Sequence, residues 1–173
     1  MNSRQFDPLE FARGDRVLQD EVPVARFKRL CEGLPAPQTG SIAWRLAGRT
    51  DRQDNAWLDV QARGRVRLVC QRCLEAMDWS LDVANSLRLL RTQAQLEAMD
   101  ALEAEGRGED AEYLVAEPRM DAPGLVEDEL ILALPFAPMH ETCPGGGAGA
   151  ATDDEPDTGR PSPFAALARL KKH

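Results

Sequence analysis

The chain has 173 residues, with 21 Lys/Arg, 29 Asp/Glu and a formal net charge of −8, which suits one domain with a real core and not two comfortable ones. No run approaches the roughly 18 apolar residues of a membrane span, and the opening MNSRQFDPLEFARGDR has no apolar targeting core. A cytoplasmic protein is expected, and four cysteines there do not make a disulfide framework.

The net charge hides an asymmetry. Residues 1–91 carry 15 Lys/Arg and 12 Asp/Glu, hence +3, whereas residues 92–173 carry 6 and 17, hence −11. Indiscriminate nucleic-acid binding is disfavoured, but a basic face on the first half is allowed.

In chain order, FDPLEFARGDRVLQDEVPVARFKRLCEGLP predicts a short helix, a strand near residues 16–22 and a helix over about 24–33. In that helix Val24, Phe27, Cys31 and Leu34 form one stripe at helical spacing, so Cys31 reads as a core residue. From Gly40 the period becomes two. Ile42, Trp44 and Leu46 alternate, GRTDRQDN turns, and Ala56, Leu58 and Val60 alternate again. Val66, Leu68 and Cys70 share a face, and Met77, Trp79, Leu81 and Val83 alternate after the second cysteine. This describes an antiparallel meander with CQRC at the tip of its longest hairpin.

Residues 97–117 are rich in acid, and 97–129 hold 12 acidic and 2 basic residues, which predicts a solvated loop through the middle. DAPGLVEDELILALP then predicts a helix with an early Pro and Pro135 as its stop; Val126, Leu130, Ala133 and Leu134 form its apolar face. The expected fold class is α+β: an antiparallel sheet covered on one face by helices near 24–33 and 123–134. Residues 1–143 form the domain, 144–162 a flexible linker by composition, and 163–173 a short amphipathic C-terminal motif. In that motif Phe164 and Leu167 are apolar and Lys171 basic, a pattern suited to docking on a partner or on the chain's own domain.

Catalysis is poorly supplied. Of two histidines one is the terminal His173, and no nucleophile elbow, dinucleotide fingerprint, P-loop or H-E-x-x-H occurs. The glycine run after Pro144 lacks both a preceding strand and a G-K-[ST]. No enzyme and no small-molecule substrate are expected.

Cys70 and Cys73 have three readings: a redox couple, half of a zinc site, or small residues at a strand turn. HETC offers His140 and Cys143 at the same spacing. Together the four side chains make a tetrahedral set for one zinc ion, whose donor atoms should converge within roughly 4 Å. The redox reading lacks the helix N-terminus that lowers a thiol pKa in such pairs, although Arg72 favours a thiolate. Arg63, Arg65 and Arg67 share one side of a strand at intervals of about 7 Å, a row suited to phosphates without base reading. The alternative is a solvated face paired with neighbouring acids.

CQRC, VEDELILALPFAPMH and SPFAALARLK, in this order, resemble the YceD family, the large ribosomal RNA subunit accumulation proteins of bacteria and plastids. Cys70, Arg72 and Cys73 match its C-x-R-C. Glu127, Glu129, Leu132, Leu134 and Pro135 stand in its acidic-to-apolar helix stretch, and Phe164, Leu167 and Lys171 match its tail, with Ser162 where Asn is usual. Some members carry C-P-x-C-G after the helix; this chain keeps Cys143 and Pro144 but has Gly146 at the second cysteine, so a zinc set requires His140 instead. The resemblance implies a non-enzymatic role in synthesis, processing or stability of 23S ribosomal RNA. The partners would then be that RNA, with Arg63, Arg65, Arg67 and Arg72 as candidate contacts, or a ribosomal or assembly protein. A zinc-stabilised or thiol-based interaction module without RNA contact is the alternative.

Overall fold

A computed structural model describes residues 5–108 and 111–144. All its regular elements lie in a unit spanning Met1–His140; Glu141–Pro144 belong to a second unit, Glu141–His173, and carry none. The expected linker beyond Pro144 and the motif containing Phe164, Leu167 and Lys171 lie outside the described residues.

The first elements are strand β1 (Gln5–Phe6), helix α1 (Pro8–Arg13), strand β2 (Val17–Pro23) and, after a 3₁₀ turn at Val24–Arg26, helix α2 (Lys28–Glu32). Three long strands follow: β3 (Ser41–Thr50), β4 (Ala56–Val69) and β5 (Ala76–Leu90). Helix α3 (Gln93–Ala104), strands β6 (Glu112–Val115) and β7 (Met120–Asp121), and helix α4 (Ala122–Leu132) complete the order. The fold is mixed α+β. A five-stranded sheet runs β2-β3-β4-β5-β6, antiparallel except for β5 and β6, and β1 pairs with β7.

Period-two alternation explains the two faces of the sheet. Ile42, Trp44, Leu46, Leu58, Val60, Val66, Leu68, Leu81 and Val83 point to one side and are buried with Phe11 and Ala12 of α1, Leu30 of α2, and Val126 and Leu130 of α4. Gly48 on β3 lets α1 approach: a Cβ there would lie 2.6 Å from the Phe11 carbonyl oxygen.

The helices are locally specified. The Asp7 carboxylate accepts from the N–H groups of Leu9 and Glu10 at the start of α1, and Asp121 accepts from Gly124 at the start of α4. The expected helix over 24–33 is instead a 3₁₀ turn and a five-residue helix separated at Phe27, whose φ/ψ of −82/84 is not helical. Cys31 is half-buried against the core, its thiol 3.4 Å from the Val24 carbonyl oxygen. Part of the expected acidic loop is the 12-residue α3, capped by Thr92 and with no buried residue.

Two buried acids shape the α4 side. Glu127 accepts from the Leu30 backbone N–H and from Arg29 Nε, both at 3.2 Å, which ties α4 to α2. Glu129 accepts from Asn85 Nδ2 at 3.0 Å on β5. Burial pushes the Glu129 carboxyl up; the Asn85 bond opposes this, and Glu112 and Asp128 add to it.

Candidate functional site

The β4–β5 register ends with Val69 opposite Ala76, so Cys70–Glu75 form the hairpin tip. Alternation along β4 turns Cys70 inward after Val66 and Leu68, and its thiol is buried. The tip closes through Cys70 N–H to the Glu75 oxygen and Leu74 N–H to the Cys70 oxygen, both 2.9 Å. Leu74 adopts φ 62, a left-handed conformation that costs a leucine energy. With its side chain 74% exposed, that conformation serves the turn rather than the core.

The loop after α4 meets this tip. Gln71 N–H donates to the Pro138 oxygen at 2.8 Å, and Arg72 Nη2 donates to the His140 oxygen at 2.8 Å. His140 N–H points at Cys70 Sγ at 3.4 Å, and Cys73 Sγ lies 3.3 Å from His140 Nδ1. Donor atoms from Cys70, Cys73 and His140 lie within 4.8 Å of one another, three of the four candidate metal ligands; Cys143 belongs to the second unit.

The donor chemistry fits zinc. With Zn–S near 2.3 Å and Zn–N near 2.0 Å, a tetrahedron has an S···N edge of about 3.5 Å, close to the Cys73–His140 separation. Burial works to raise the Cys70 thiol, but the N–H groups of Cys73, His140 and Arg72, with the Cys73 side chain, outweigh it and bring its pKa down to about 5. A sulfur that receives several amides is a metal-ready thiolate. Cys31 shows the contrast: burial, then the nearby Glu127 charge, push its thiol up, so it stays protonated. Arg72, a candidate RNA contact, is held on the His140 carbonyl, linking the β4–β5 tip to the loop after α4.

Arg63, Arg65 and Arg67 do line one side of β4, the side away from α1 and α4, with Arg63 and Arg65 exposed and Arg67 half-buried. Register sets Asp82 opposite Arg63, Ser80 opposite Arg65 and Asp78 opposite Arg67. Arg63 Nε is 2.9 Å from Asp82, with the two side chains 78% and 64% exposed. So exposed a pair contributes under about 1 kcal/mol, and a phosphate can compete with it. Among the described residues no helix is long and apolar enough to cross a membrane.

Taken together, these features define a small mixed-sheet protein with Cys70, Cys73 and His140 gathered at a hairpin tip and an arginine-bearing open sheet face. The chain belongs to the family described as Large ribosomal RNA subunit accumulation protein YceD, whose model matches residues 58–171, from β4 through α4 and into the C-terminal region. The family's name implies a role in accumulation of large-subunit ribosomal RNA. No solved structure matches the chain.

Proposed function

We propose that this protein is a non-enzymatic factor in the synthesis, processing or stability of 23S ribosomal RNA, acting in the cytoplasm during assembly of the large subunit. The family match over residues 58–171 carries this reading. Within it, one zinc ion on Cys70, Cys73, His140 and Cys143 staples the β4–β5 tip to the loop after α4. Zinc supplies a cross-link there and no reaction step. Arg63, Arg65 and Arg67 serve the RNA backbone, while Phe164, Leu167 and Lys171 dock on an assembly partner.

Crosslinking of RNA to the protein in cells, with 23S RNA measured against 16S after depletion, tests the proposal. The expected result is crosslinks in large-subunit RNA and a fall in 23S; unchanged 23S would overturn it. In vitro, replacing Arg63, Arg65 and Arg67 together by Ala should lower the slope of log affinity against log salt by somewhat under one unit per lost contact, with little change in sequence preference.

A second reading is a zinc-stabilised protein-interaction module without RNA contact. It is favoured by Leu74, Phe136 and Met139, which are exposed large hydrophobics on the two loops that bear Cys70, Cys73 and His140. Crosslinks confined to proteins would select it.

A further inference from the structure

At the end of the sheet where β3 turns into β4, the side away from α1 and α4 carries a second row of side chains. Register sets Arg49 opposite Trp57, Trp57 opposite Arg88, and Arg88 opposite Tyr113. Guanidinium and aromatic ring therefore alternate across four neighbouring strands, at steps of about 4.8 Å. Arg49 Cζ lies 4.8 Å from the Trp57 ring centre and Arg88 Cζ 6.0 Å from that of Tyr113. All four residues are partly exposed, whereas Trp44, on the helix-covered side of β3, is 3% exposed.

The row is held in place by polar contacts. The Trp57 indole N–H donates to Asp51 Oδ2 at 2.9 Å, and the same oxygen accepts from Asn55 Nδ2. Arg88 Nη2 donates to Asn55 Oδ1 at 2.8 Å, so a single turn positions both residues. Arg49 Nε donates to Asp59 Oδ2 at 2.9 Å, and the other Asp59 oxygen accepts from the Ser86 hydroxyl at 2.7 Å.

Fixed, partly exposed ring and guanidinium planes are what unstacked nucleobases stack upon, and only single strands present such base faces. Trp57 and Tyr113 stand two strand spacings apart, about 9.6 Å; a guanidinium lies over one face of each ring, so a base would stack on the opposite face or on the guanidinium itself. From Trp57 the outward side of β4 continues through Gln61 to Arg63, Arg65 and Arg67, a path of roughly 33 Å at about 3.3 Å per residue. A shallow depression beside this path is lined by Ala43, Arg45, Gln61 and Arg63. Six arginines (45, 49, 63, 65, 67 and 88) against Glu21, Asp51, Asp59, Asp78 and Asp82 leave this side of the sheet slightly positive in a chain of net charge −8, which favours a polyanion here over the rest of the surface.

We propose that Trp57 and Tyr113, fixed among Arg49 and Arg88, form a base-stacking platform for single-stranded RNA whose backbone runs along β4 to Arg63, Arg65 and Arg67. This rests on the ribosomal RNA role proposed above and adds contact with bases to contact with phosphates.

The test is a fluorescence-anisotropy titration of the full chain with a single-stranded RNA of about ten nucleotides, an abasic strand of equal length and a duplex. Each stacked ring is worth about 5- to 150-fold in affinity. Trp57→Leu and Tyr113→Leu should each weaken single-strand binding by that factor. Trp57→Phe and Tyr113→Phe, which keep a ring but lose the polar group, should stay within about threefold of wild type. The abasic strand and the duplex should bind more weakly than the base-bearing single strand. Leu variants that melt as wild type and bind as wild type would overturn the platform, as would equal binding of the abasic strand. The abasic comparison uses wild-type protein, so it decides even where a Leu variant does not fold. Wild-type protein that binds no single strand also overturns it. If 23S levels still depend on the protein in that case, the ribosomal role stands through a protein partner; if RNA stacks on the platform but 23S levels do not depend on the protein, only the ribosomal role falls.

Discussion

Removing zinc should destabilise the protein by an amount the chain's own connectivity sets. Cys73 and His140 are 67 residues apart in sequence and their donor atoms 3.3 Å apart in space. A metal bridging them closes that loop in the unfolded chain as a disulfide would, and the loop-closure relation gives about 4 kcal/mol for this length. At about 2–4 °C per kcal/mol for a domain of this size, zinc-loaded protein should melt about 8–16 °C above chelator-treated protein. Purified protein should contain one zinc per chain by elemental analysis. Cys73→Ser is the informative variant, because Cys73 is only half-buried and the change leaves the core intact. Its melting temperature should no longer differ between zinc and chelator. Absence of zinc at one per chain, or a wild-type melting temperature indifferent to the chelator, would refute the staple.

Acidification should release the metal. The Cys70 pKa is brought down to about 5 from the ordinary thiol value, so the stability its thiolate confers is complete above the unfolded value near 9 and is lost as pH falls through about 5. Zinc should be released as protons come to compete for its ligands on acidification, as followed with a colorimetric zinc chelator. Glu129→Gln should raise the melting temperature at pH 7, because burial disfavours the charged carboxylate. The gain should vanish below about pH 4.3, where the acid is protonated in both folded and unfolded chains; a gain that persists there contradicts this origin. Glu127→Ala should cost about 2 kcal/mol in denaturant unfolding, since the Leu30 N–H is left buried without its acceptor. Gly48→Ala should cost about 1–3 kcal/mol, because the new Cβ meets α1 backbone and not a side chain that can turn away.

Local patterning in the sequence already specified the long strands, the placement of CQRC at a hairpin tip, the helix after Asp121 and the four candidate metal ligands, because period-two alternation, capping residues and ligand spacing act over a few neighbours. Helix α3 was missed for a local reason: its composition is acidic and it buries nothing, so its signals were the Thr92 cap and a run of good helix formers rather than an apolar stripe. Strand β6 had no comparable local signal; four residues pair parallel to β5 only because α3 returns the chain to that edge. In the sequence Glu127 stood only in the acidic-to-apolar helix stretch, and its role came from Arg29 and Leu30, 98 and 97 residues away. Likewise, alternation placed Arg63, Arg65 and Arg67 on one side of a strand, but register alone set Asp82 and Asp78 opposite two of them. Arg49, Trp57, Arg88 and Tyr113 are spread along the chain without any motif, and only the hydrogen-bonded register of four strands brings them into one row. Backbone pairing acts between residues far apart in sequence, so which side chains share a surface was decided by the tertiary structure.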